Sequence, residues 1–437
     1  MTPSARIAAA IEVLADLEVR RRPVSDALRE WGQTHRFAGS KDRAALASLV
    51  YDALRRRASS MFLLGRESPR AVVLGMLRLG RGLGTKEIEN LFSGERFAPE
   101  ALSADERQRL EAPTPDMPAA SAGDFPEWLE ESFTRALGDD LIVETQALAD
   151  RAPIDIRVNT LKTTREALQN ALMHFAPEPT PHAPDGLRFH VGDDGRGPAL
   201  QVEPEFIQGL YEIQDEGSQL AARLTLAAPG EQVIDLCAGA GGKTLALAAQ
   251  MDNRGQIYAT DIDARRLAAI HARLERSSAR NVQLRVPRGR YDPVRNPEVA
   301  DPLADLSGSA DLVLVDAPCT GTGTWRRNPD AKWRLRPGAL SERIADQAIV
   351  LDRAAALVKS GGRIAYVTCS LLPDENDDAI VGFLARHGGF SIINPKDVAE
   401  LAGLPHLAAF ATEGGGLLLS PHRTDTDGFY IAILRKQ

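Results

Sequence analysis

From about residue 205 onward the chain repeats one pattern: a short apolar, β-branched run, a turn, then an amphipathic helix. The runs are QVIDL (232–236), QIYATD (256–261), NVQLRV (281–286), DLVLVD (311–316) and RIAYVTC (363–369). Helical stretches such as TLALAAQM, ARRLAAIHARLERS and ERIADQAIVLDRAAALVK separate most of them. Strands alternating with helices of this length fold into a parallel sheet covered on both faces. In such sheets ligands occupy the crevice beyond the carboxyl ends of the strands. Asp235, Asp261, Asp316, Cys319 and Cys369 all fall at or just past such ends, so one crevice can receive them all.

The turn after the first of these strands reads LCAGAGGKTLA. It is not a phosphate-binding Walker loop, because Cys237 stands where the first glycine belongs. It is only part of a dinucleotide fingerprint, because Thr244 stands where the third glycine belongs. A close backbone approach to a ligand remains, with Asp261, 22 residues after Gly239, placed to accept hydrogen bonds from ribose hydroxyls. Nucleoside binding without pyrophosphate binding points to S-adenosylmethionine. The structural alternative is a glycine turn that only packs a helix on a strand.

The chain has three cysteines, far apart and without CxxC spacing, which argues against a disulfide framework and against a metal site. Two of them, Cys319 in DAPCT and Cys369 in VTCS, end apolar strands. Either alone reads as a small buried apolar residue. A pair in parallel settings suits a different chemistry. Carbon 5 of cytosine is a poor nucleophile, but addition of a thiolate to carbon 6 makes the ring an enamine reactive at carbon 5. One thiol would attack, a second group would help undo the adduct, and Asp316 could hold the base while charge moves onto the ring.

The first third of the chain is of another kind. Residues 1–97 show helical periodicity, as in ALASLVYDALRR, and hold 17 Lys plus Arg against 11 Asp plus Glu, whereas the whole chain has a net charge of −8. Arg20–Arg22 and Arg55–Arg57 concentrate that charge, as a surface meeting phosphates would; a solvated helix face is the alternative. Residues 98–124 are rich in Pro, Ala, Ser and acids and read as a linker. Residues 125–204 form a small α/β segment with the strand-like IDIRVNTLK, and residues 205–437 form the larger α/β domain. Acids interrupt the N-terminal apolar stretch, so neither a signal peptide nor a membrane span is expected, and a cytoplasmic monomer is.

Eight segments together resemble the Sun/Nop family of RNA (cytosine-5)-methyltransferases, in its bacterial small-subunit ribosomal RNA branch, the methyltransferase B type. They are RVNTLK (157–162), QDEGSQLAA (214–222), DLCAGAGGKT (235–244), ATDID (259–263), DAPCTGTGT (316–324), RRNPDAKW (326–333), YVTCSLLPDEN (366–376) and DGFYIAIL (427–434). HRFAGSKDRAALASLVYDALRR (35–56) is similar to the NusB-like helical RNA-binding domain that precedes the catalytic domain in that branch. The resemblance implies a Rossmann-like class I methyltransferase sheet and S-adenosylmethionine as cofactor. It makes Cys369 the nucleophile and Cys319 the thiol that assists release of the methylated base. It sets Lys243 near cofactor and base, where its ammonium favours a nearby thiolate. It lines the cofactor site with Cys237, Ala238, Gly239, Ala240, Gly241, Gly242, Lys243, Asp261 and Asp316.

Two positions depart from the resembled pattern. Gly239 and Ala240 replace an Ala-Pro pair, and Arg288 stands where an acid for the adenine amine is expected, with Asp292 four residues later. RNA rather than DNA is favoured by the basic helical region and by TWRRNPDAKWRLR (324–336), in which Trp325 or Trp333 could receive an extruded base unless it belongs to the core. The competing functions are a catalytically silent RNA-binding or assembly factor and a methyltransferase acting on tRNA or on a non-RNA acceptor.

Overall fold

The computed structural model describes residues 1–437 apart from 193, 194 and 196. The chain divides into two compact units, one comprising Met1–Arg151 and Trp325–Arg336, the other built from most of the remainder. Among the described residues no helix is long and apolar enough to cross a membrane.

The first unit is helical. Its leading helices are Pro3–Arg20, Val24–Thr34, Ser40–Arg55, Arg57–Leu64 and Pro69–Gly75. Thr2 and Ser68 start two of them by accepting the amides of Ala5 and Ala71, each ahead of a proline in the first turn. Apolar residues three and four apart, such as Ile7, Ala10 and Leu14 or Leu46, Val50 and Ala53, form one core. Two helices touch backbone to backbone, because a Cβ at Gly75 would lie 2.4 Å from the Cα of Ser60. The stretch expected to be a linker folds onto this unit. Ser103 and Glu106 form a capping box for the helix Ala104–Glu111, Glu106 also pairs with Arg70 at 2.8 Å, and Leu110 is buried in the core. Asp105 and Glu106 are therefore helix-start residues.

The second unit holds two sheets. The smaller is antiparallel, with strands β1 (Ile154–Val158), β2 (Glu178–Pro179), β3 (Gly186–Phe189) and β4 (Tyr211–Ile213) in the order β2-β3-β1-β4. The larger contains β5 (Gln232–Asp235), β6 (Gln256–Ala259), β7 (Val282–Leu284), β8 (Ala310–Asp316), β9 (Val358–Thr368), β10 (Phe390–Ile392), β11 (Leu417–Leu419) and β12 (Phe429–Lys436). Its order is β10-β12-β9-β8-β5-β6-β7, with β11 on β12. The strands from β7 to β9 are mutually parallel, and β12 runs against its neighbours. The repeating pattern implies the parallel part of this sheet, and the resemblance implies its Rossmann-like order. Val233, Ile234 and Leu312–Val315 are wholly buried, as strands covered on both faces require. The chain travels outward from β5 through β6 to β7, then returns to lay β8 on the other side of β5. That switch opens a crevice at the carboxyl ends of β5 and β8.

Candidate active site

The crevice is a cleft of about 750 Å³. Cys237, Ala238, Gly239, Ala240, Gly242, Lys243, Asp261, Asp316, Cys319 and Cys369 all line it. Gly241 faces away: its φ is +84°, and a Cβ there would meet the Ile270 side chain at 2.3 Å. Only glycine permits that turn to pack on the helix Ile270–Ser277. Gly239 takes φ +52°, so the residue in place of the expected alanine adopts a conformation that alanine rarely does.

One half of the cleft is a cradle of backbone and carboxylates. The buried Asp261 accepts the amides of Gly239 at 3.0 Å and Asp263 at 3.1 Å, which fixes the acid under the glycine turn. Beneath it Asp235 accepts the Thr244 hydroxyl at 2.6 Å through one oxygen, while the other has no hydrogen-bond partner. Burial raises its pKa to about 7, opposed by that hydroxyl. The Cys237 thiol is likewise pushed up by burial and by the nearby acids, so it stays neutral and supplies backbone to the turn.

The other half carries the reactive groups. β8 and β9 are paired, so the residues that follow them emerge side by side, and the Cys319 and Cys369 sulfurs lie 3.4 Å apart as free thiols. Lys243 reaches across to Asp316 at 2.8 Å and lies 5.1 Å from the centre of the Phe429 ring. Burial alone would lower the lysine pKa, but the Asp316 charge and hydrogen bond outweigh it and the net shift is upward. Lys243 is therefore a fixed cation beside both thiols. The Cys319 thiol is held well above its usual range, first by its hydrogen bond with Cys369 and then by burial.

A family profile described as 16S rRNA methyltransferase RsmB/F matches residues 223–435, and a profile of the ferredoxin-like domain of RsmF/B-like methyltransferases matches residues 125–193. A probable ribosomal RNA small subunit methyltransferase B of Synechocystis sp. is 33% identical over 318 residues, covering 71% of this chain and 67% of its own length. The chain belongs to this family. The ribosomal RNA small subunit methyltransferase B of Vibrio vulnificus aligns over 98% of this chain and 99% of its own length at 29% identity, whereas that of Pectobacterium atrosepticum aligns over 66% of its length. Among solved structures, that of PH0851 superposes with a TM-score of 0.72 at 28% identity, covering 100% of this chain and 99% of its own.

The resemblance to the RsmB/F family left the loop after β7 without its acid. In the structure Asp292 lines the cleft and Arg288 does not. Asp292 is buried, accepts the amides of Val294 and Arg295 at 3.0 and 2.9 Å, and pairs with the Arg295 guanidinium at 3.2 Å. Burial works against its charge, but these donors overcome it and hold the carboxyl below the usual range.

The basic stretch after the Cys319 loop is not the exposed RNA grip that its composition suggests. Trp325 is 2% exposed and packs edge-on against Phe133, while Trp333 donates its indole N–H to the Leu54 carbonyl at 2.7 Å. Lys332 is 1% exposed and donates to the Arg55 and Asp124 carbonyls at 3.0 and 2.6 Å. These residues complete the helical unit. Five of the six arginines of the two triplets are also engaged within it: Arg20 and Arg22 pair with Asp16 and Glu30, Arg55 and Arg56 bond Asp150, and Arg57 pairs with Glu18, whereas Arg21 is exposed. Positive charge that pairs internally adds little to a phosphate-binding field.

Sequence reasoning gave no role to the residues that hold the two thiols. Glu375, wholly buried, accepts the amide and hydroxyl of Thr320 at 2.8 and 2.5 Å and the side-chain amide of Gln347 at 3.1 Å. Asn376 accepts the Thr368 hydroxyl at 2.6 Å and donates to the Ser370 carbonyl at 2.9 Å, closing the turn that carries Cys369. Both lie in YVTCSLLPDEN, where a polar pair after an apolar run was the available signal.

Proposed function

We propose that this chain methylates carbon 5 of a cytosine in RNA, with small-subunit ribosomal RNA as substrate, through a covalent bond between Cys369 and carbon 6. The observation that carries the reading is the pair of free thiols 3.4 Å apart beside the Lys243–Asp316 ion pair. S-adenosylmethionine fits the cradle. Its ribose would be met by Asp261, its adenine amine by Asp292, and its chain by the open turn from Cys237 to Gly242. The free approach to Gly239, whose added Cβ would meet only the Arg266 and Asp261 side chains at 3.6 and 4.0 Å, suits a ligand at that position. When bound, this cofactor supplies an electrophilic methyl group.

The chain's own groups do the rest. The Cys369 thiol gives up its proton to water, its sulfur forms a bond to carbon 6, and the ring electrons move toward carbon 5 and the ring nitrogen. Asp316, held by Lys243, hydrogen-bonds the polar edge of the base as that charge develops. After carbon 5 has gained its methyl group it loses its proton to water, the sulfur–carbon bond breaks, and the double bond returns. Cys319, kept as a thiol, donates its hydrogen to the departing Cys369 sulfur and so assists release. Incubation with labelled S-adenosylmethionine and unmodified small-subunit RNA, followed by nucleoside analysis, tests the reading. Label in 5-methylcytidine is expected; label in another nucleoside, in protein or in tRNA alone would refute it.

A further inference from the structure

Six residues after Cys369, outside the cleft lining, the Glu375 carboxylate gathers donors from the Cys319 loop. It accepts Thr320 twice, through the amide and the hydroxyl of the residue that follows Cys319. The Ser370 hydroxyl, on the residue that follows Cys369, lies 3.5 Å from that Thr320 hydroxyl and 3.1 Å from the Thr322 hydroxyl. The Gln347 amide that donates to Glu375 donates at the same time to the Pro318 carbonyl at 3.0 Å, so the residue before Cys319 is tied to the same point.

We propose that Glu375 is the positioning residue of the thiol pair, its buried carboxylate clamping the residue after Cys319, against whose hydroxyl the residue after Cys369 rests, and so setting the approach of the two sulfurs. This rests on the reading of Cys369 and Cys319 as attacking and releasing thiols. The Thr320 and Gln347 amides can only donate, so the site requires an acceptor at one oxygen, while the other oxygen accepts the Thr320 hydroxyl. An amide of the same shape would keep its oxygen on those two donors and turn its NH2 group toward the Thr320 hydroxyl, which would have to reverse from donor to acceptor. The charge-assisted bond to that hydroxyl is lost, so the Thr320 loop loosens, and with it Cys319. The charge has a second effect. The Cys319 thiol is shifted upward first by its hydrogen bond with Cys369 and then by burial, and the Glu375 carboxylate adds to that shift. Glu375 thereby reinforces the role of Cys319 as the hydrogen donor.

The test is full-length Glu375→Gln assayed with unmodified small-subunit RNA. Cofactor affinity by calorimetry should be unchanged, and the covalent RNA complex should form but resolve about 10- to 100-fold more slowly, as displacement of a positioned group predicts. A denaturation-resistant complex should therefore accumulate. Wild-type turnover, or loss of the complex with cofactor affinity intact, would overturn the proposal. If the glutamine variant loses cofactor binding, Thr320→Val carries the test, because it deletes one bond to Glu375 and leaves the core shape: a longer-lived complex supports the clamp, and a wild-type lifetime overturns it. Cys369→Ala is run in parallel. If that variant still methylates, the thiol reading itself fails; if it is inactive while Glu375→Gln behaves as wild type, only the clamp fails.

Discussion

Lys243 and Lys332 are both buried and both sit in motif-like stretches, yet their surroundings differ in kind. Lys243 faces the Asp316 carboxylate at 2.8 Å, in a cleft where that acid stays partly open to solvent, and its pKa is raised. Lys332 donates to two backbone carbonyls in the helical unit, and burial lowers its pKa to about 7 despite the nearby Asp124 charge. The first arrangement holds a cation where chemistry can use it. The second consumes its donors on carbonyls that would otherwise lack partners, which is a packing role. The difference divides two adjoining stretches: DAPCTGTGT, up to Thr324, belongs to the catalytic unit, and WRRNPDAKW, from Trp325, to the helical one.

Exchanging the two lysines for uncharged residues would sharpen this contrast. Lys243→Met should lower turnover by about 10²- to 10³-fold, the usual loss when one charge-stabilising group is removed, with the thermal midpoint little changed; a large loss of stability with normal turnover would reverse the assignment. Lys332→Ala should do the opposite. It leaves a void and two carbonyls without donors, so unfolding should become easier by about 2 to 4 kcal/mol, read by hydrogen exchange over the helix Ser40–Arg55, while cofactor affinity holds. A chain beginning near residue 120 should be destabilised for the same reason, since Trp325–Arg336 would lose its core.

The titration of Lys332 refines the comparison. In the unfolded chain this lysine keeps its ordinary pKa near 10.4, whereas the folded group loses its proton around pH 7. Between those values the unfolded state binds more protons, so stability rises with pH from about 7 toward 10. Subtracting the Lys332→Ala curve from the wild-type curve should isolate that rise; parallel curves would contradict the burial account. The smallest effect is expected at the cradle. Asp261→Ala should weaken S-adenosylmethionine binding by about 1 to 3 kcal/mol through lost charge-assisted hydrogen bonds, and unchanged calorimetric affinity would dissociate this acid from the ribose.

Much of the sheet was legible because burial on both faces writes itself as apolar runs, as in DLVLVD and RIAYVTC. The crevice residues were legible for the same reason: strand ends are fixed once strands are, so Asp261, Asp316, Cys319 and Cys369 could be brought to one edge before any coordinates. Roles that depend on partners were not legible. Arginine triplets look alike whether they face phosphates or Asp16, Glu30 and Asp150, and the tryptophans of 324–336 look alike whether they stack on a base or, as here, pack edge-on against Phe133 and donate to the Leu54 carbonyl. The acid-rich stretch 98–124 read as a linker because a capping box uses the same residues as a solvated tail. Asp292 stood four residues after the position expected of an acid, and only the path of the loop shows that it lines the cleft. Glu375 escaped because a buried acceptor is recognisable only once its donors are known.

The central claim is that the two thiols share one reaction in unequal roles, and a denaturing gel of protein mixed with labelled RNA and S-adenosylmethionine tests it most directly. Cys369→Ala should give neither methylated RNA nor a covalent band, because without the sulfur–carbon bond the ring does not become nucleophilic. Cys319→Ala should give a strong covalent band, because addition proceeds while release lacks its hydrogen donor. The opposite pattern, a band with Cys369→Ala and none with Cys319→Ala, would reverse the roles, and full activity in both variants would contradict the account altogether.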